Sequence, residues 1–214
     1  MGWFFKQLPD SQKEGALALI RHLQEMLAYQ QLAMEIYNDA LAAIAGDPPR
    51  GAEVWARQTA PFSSPALVSE HVIPALEKKL EILQSMETKH KLASALAPAK
   101  LQLPYQEMTS AIRVMLDRAH LQYDGFTEWI QNPQTTIDVR CLDKPELSAV
   151  DHAVKALNDL IKKVGLTPDE WMDLNQGVFN SVRTSRGLVP LDRDVFCSRF
   201  FRGTTGERVR FFSD

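Results

Sequence analysis

The sequence predicts an all-α protein: a bundle of about five helices, three of them long, followed by a short extended or β-hairpin-like C-terminal arm. Three observations carry that expectation. Apolar residues recur at three- and four-residue spacing over long stretches. Helix start and stop signals fall at the ends of those stretches. Only one segment, "TTIDVRCL" at 135–142, is rich enough in β-branched residues to suggest a strand. A length of 214 residues suits one domain with an appendage, and the change in character near Gly187 places the bundle at 1–187 and the arm at 188–214.

The first helix is expected from about Ser11 to Ala45. Ser11 and Glu14 form a capping box, and Gly46 with Asp47, Pro48 and Pro49 stops it. Ile20, Leu27, Met34 and Leu41 fall seven apart, with Leu23, Tyr37 and Ile44 in the second seam position and Gln30 as the polar exception. This heptad seam runs for about 50 Å of helix. A connection containing Trp55 follows, with a helical turn expected at Ala52–Arg57. The second helix opens at Ser64-Pro65, is bent at Pro74 and ends near Leu96, before Pro98. The third runs from about Pro104 to Ile130 and the fourth from about Ser148 to Val164, where Gly165 stops it. The fifth opens on Thr167-Pro168-Asp169-Glu170, a capping box with proline in the first turn, and ends near Arg186-Gly187.

Composition removes several classes of function. Formal net charge is −3, so no global basic excess points to nucleic acid. Cys141 and Cys197 are the only cysteines, too few for a disulfide framework or a cysteine zinc site, which makes a reducing cytoplasm the expected compartment. "MGWFFKQLP" lacks the apolar core of a secretory leader, and no apolar run approaches the ~20 residues needed to span a bilayer. There is no P-loop, GxSxG, HExxH or CxxC, and no cofactor is named by any motif.

What chemistry the sequence offers lies on the second and third helices. Glu87 precedes His90 by three residues, and Asp117 precedes His120 by the same spacing. Carboxylate-x-x-histidine on paired helices is similar to the ligand spacing of ferritin-like di-metal bundles. Direction separates the two pairs. A residue turns about 100° from the last, and the seam Ile73, Leu76, Leu80, Leu83 continues onto Glu87 and His90, both within about 50° of the middle of the apolar face. On the third helix the apolar face is centred on Met108, Ile112, Met115, Ala119, Tyr123 and Phe126; His120 lies about 90° from it and Asp117 about 150°. Glu87 and His90 are thus the candidate inward pair. They would act as a buried polar layer fixing helix register, as ligands of a metal or haem in an oxygenase-like enzyme, or as a general acid and base. Arg113 and His120, on one flank with six residues between them, have a spacing similar to the Arg-x(4–6)-His motif of HEPN-type ribonucleases. That resemblance implies a helical dimer cutting RNA with those two residues.

The two ends of the chain suggest contacts with partners. Seven of the thirteen arginines lie between Arg183 and Arg210, against four carboxylates from residue 181 onward. "RFFRGTTGERVRFF" reads as an arm turning at Gly203–Gly206. Arg199, Phe200, Phe201, Arg202, Arg208 and Arg210 could pack on the bundle, add to a partner's sheet, or clasp phosphate and bases, with nucleic acid the least favoured. Trp3, Phe4 and Phe5 offer an aromatic staple or self-association contact. The function these features predict is a non-enzymatic interaction or assembly protein, acting as a homo-oligomer or on a protein partner.

Overall fold

The computed structural model describes residues 9–45, 65–97, 102–133 and 144–200. Every regular element among them is helical. We label them α1 (Asp10–Ala45), α2 (Pro65–Leu67, Val68–Val72 and Ile73–Ala95, continuous in sequence), α3 (Gln102–Gln131), α4 (Lys144–Val164), α5 (Pro168–Ser185) and α6 (Arg193–Phe200). Residues 135–142, the turn expected at 52–57, Trp3 to Phe5 and residues 201–214 lie outside the described residues. No described helix is long and apolar enough to cross a membrane.

Several helix features have a local cause. Just before Pro74, where a bend is expected, the chain makes a π-helical turn over Val68–Val72. Proline lacks the N–H that would continue the i→i−4 ladder. The ladder widens just before it, with Ile73 N–H donating to the Val68 carbonyl five residues back. The α5 capping box forms as expected: Thr167 accepts from the Glu170 amide and the Glu170 carboxylate accepts from the Thr167 amide. The Thr167 amide and the Thr167 hydroxyl, both donating to the Glu170 carboxylate, hold that carboxyl below the usual range. At the other end Gly187 takes φ 73°, and Leu188 N–H reaches back to the Arg183 carbonyl at 3.0 Å.

The chain divides into two compact units, Tyr29–Ala153 and Met1–Ala28 with Val154–Asp214. In the second of these, Arg193–Phe200 of the expected extended arm is helical instead. Asp192 caps α6, its carboxylate accepting from Val195 N–H at 2.8 Å. Phe196 is fully buried, with its ring 5.3 Å from that of Phe179 on α5. The link between α5 and α6 is strapped to α5 by side chains one turn apart: Gln176 and Asn180 donate to the Leu191 carbonyl, and Arg183 Nε donates to the Val189 carbonyl at 2.8 Å. Arg193 bridges Asp173 and Asp169, at 2.5 and 3.3 Å. An arginine fork engaged with two carboxylates is not presented to phosphate.

In the Tyr29–Ala153 unit, α2 packs along α3. Cross-pairs fix the register: Lys79 meets Gln122, Tyr123 meets Glu77, and His90 meets Thr109. Partner numbers sum to about 200 throughout, the mark of an antiparallel hairpin. The C-terminal half of α1 runs antiparallel to α2, because Tyr29 meets Lys89 while Tyr37 meets Lys79. Away from the hairpin turn the core is Tyr37, Leu41, Val68, Val72, Leu76, Phe126 and Trp129. Tyr37 and Phe126 pack edge to face at 6.5 Å.

Candidate functional site

The α2–α3 hairpin holds the chemistry-bearing residues that the sequence singles out on these helices, and they fall into three levels along it. The deepest is one that the seam argument misses. Lys79 is 3% exposed. Its ammonium donates to Gln122 Oε1 at 2.6 Å, lies 4.8 Å over the Tyr37 ring and meets Met34 Sδ at 3.8 Å. A charge-assisted hydrogen bond and an aromatic face offset part of the cost of taking an ammonium out of water. Gln122 is itself buried, so each polar group answers the other.

The second level is His90, about three turns further along α2 and 2% exposed. Its Nε2 lies 3.0 Å from both the Tyr105 carbonyl and Thr109 Oγ1 in the first turns of α3. The Thr109 hydroxyl itself donates to the Tyr105 carbonyl at 2.8 Å. A carbonyl can only accept, so Nε2 carries the proton. The imidazole ring packs on the Tyr105 ring, centroids 5.7 Å apart. Burial pushes the His90 pKa below its ordinary value, opposed by the Tyr105 carbonyl; burial also raises the Tyr105 phenol. The result is a neutral histidine latching the two helices together near their turn.

Glu87 does not follow His90 inward. It is half-buried at the hairpin rim and reaches along the helix to Lys91 at 2.9 Å. The buried stripe of α2 is Leu76, Lys79, Leu83, Met86 and His90, rotated by a fraction of a turn from the predicted seam, and that rotation places Met86 where Glu87 was expected. On α3, Arg113, Asp117 and His120 are all exposed, on one side of the helix across two turns. No group of three or more His, Cys, Asp or Glu side chains converges as metal ligands among the described residues. Cys197 is a free thiol near Met172 Sδ. Arg199 and Phe200 are the last two residues of α6, and Trp3, Phe4, Phe5, Phe201, Arg202, Arg208 and Arg210 lie outside the described residues.

The third level is the hairpin end. Leu92 and Leu96, one turn apart at the end of α2, are 68% and 86% exposed, and Leu103, at the start of α3, is 64% exposed. The register that sets His90 beside Thr109 brings residue 96 level with residues 103–104, so the three leucines share one end of the hairpin. Single exposed leucines are ordinary on a protein surface, but here three lie at one end of a helix pair. Comparison with protein-family models, curated proteins and solved structures finds no match for the chain.

Proposed function

We propose that this protein is a binding module, an interaction or assembly protein that works by presenting the end of the α2–α3 hairpin rather than by catalysis. The observation that carries this reading is the exposure of Leu92, Leu96 and Leu103 on a hairpin that is rigid just behind them. The His90 latch supplies that rigidity, and a preorganised apolar surface loses little freedom on binding. The geometry of His90 favours the same reading over chemistry. Its Nε2 is committed to the Tyr105 carbonyl and Thr109, and its nearest acid in sequence is paired with Lys91.

A photoreactive residue at position 96 in cells tests the proposal. The same residue at Gln84, exposed on the same helix, is the control. Position 96 is expected to give a discrete covalent adduct, with a second copy, another protein or a lipid, and position 84 none. Equal labelling at the two positions, or none at 96, contradicts the reading.

A further inference from the structure

We draw no further inference here: the strongest candidate, the row of amide side chains Gln24, Gln31 and Asn38 seven residues apart on α1, whose buried oxygens accept no hydrogen bond among the described residues, carries nothing because nothing in the structure shows what would pair with it.

Discussion

Replacing Gln122 with leucine is expected to destabilise the Tyr29–Ala153 unit by about 2–3 kcal/mol, although the new side chain is apolar and of similar size. Gln122 Oε1 accepts a 2.6 Å hydrogen bond from the Lys79 ammonium, and both residues are buried. Leucine removes the acceptor and leaves the charge in place, facing the Tyr37 ring and the Met34 sulfur. Lys79→Met should cost less, about 1 kcal/mol, because a neutral amide is cheaper to strand than a cation. The double variant should lie close to wild type, as an apolar pair of similar volume replaces a buried polar one. Urea unfolding of the four proteins measures this as a coupling energy. Additive losses would show that the two side chains do not depend on each other.

Removing the imidazole of His90 by substitution with alanine should cost about 2–4 kcal/mol, combining a cavity near the hairpin turn with the loss of the latch to Tyr105 and Thr109. It should also change how stability responds to acid. In the unfolded chain His90 titrates near the ordinary histidine value of about 6.5. In the folded chain burial sets its pKa lower. As pH falls through the unfolded value, the unfolded chain takes up a proton that the folded chain does not, so stability declines. The decline ends once pH passes below the folded value, and above about pH 6.5 this group contributes no slope. Wild type should therefore lose stability on mild acidification by one proton's worth more than the alanine variant. Parallel pH profiles for the two proteins would place the titration elsewhere.

The two helices that form the hairpin were legible from periodicity and caps, and their ends fall within a few residues of expectation. Met108, Ile112, Met115, Ala119 and Phe126 are buried as the α3 pattern requires. What escaped the pattern was small in angle and large in consequence. Lys79 sits at helical spacing between Leu76 and Leu83, but lysines are so seldom buried that the apolar pattern runs through Leu80 instead. A face centred there turns toward Glu87, which the fold leaves at the rim. On α1 the strict heptad marked Gln30 as the polar core residue. Gln24 is the fully buried amide, and Ala28, Tyr29, Leu32 and Ala33 are buried off the seam. An α-helix drifts about 20° per heptad, and burial on more than one face hides the drift from a single-stripe reading. α6 also escaped the pattern: the arginines and phenylalanines around it suggest an extended arm, and its Asp192 cap emerges only in the fold. The exposed leucines could not be read at all. A leucine on the flank of an amphipathic helix looks alike in sequence whether it meets a neighbour or solvent.

The account depends on Leu92, Leu96 and Leu103 being surface that the chain's own core does not need. The unfolding free energy of the chain carrying glutamine at all three positions tests this directly. We expect a change within about 0.5 kcal/mol per substitution, since exposed side chains contribute little to folding. A loss of several kcal/mol would mean that the leucines are packed in the folded protein, and no apolar end would be left for a partner to cover.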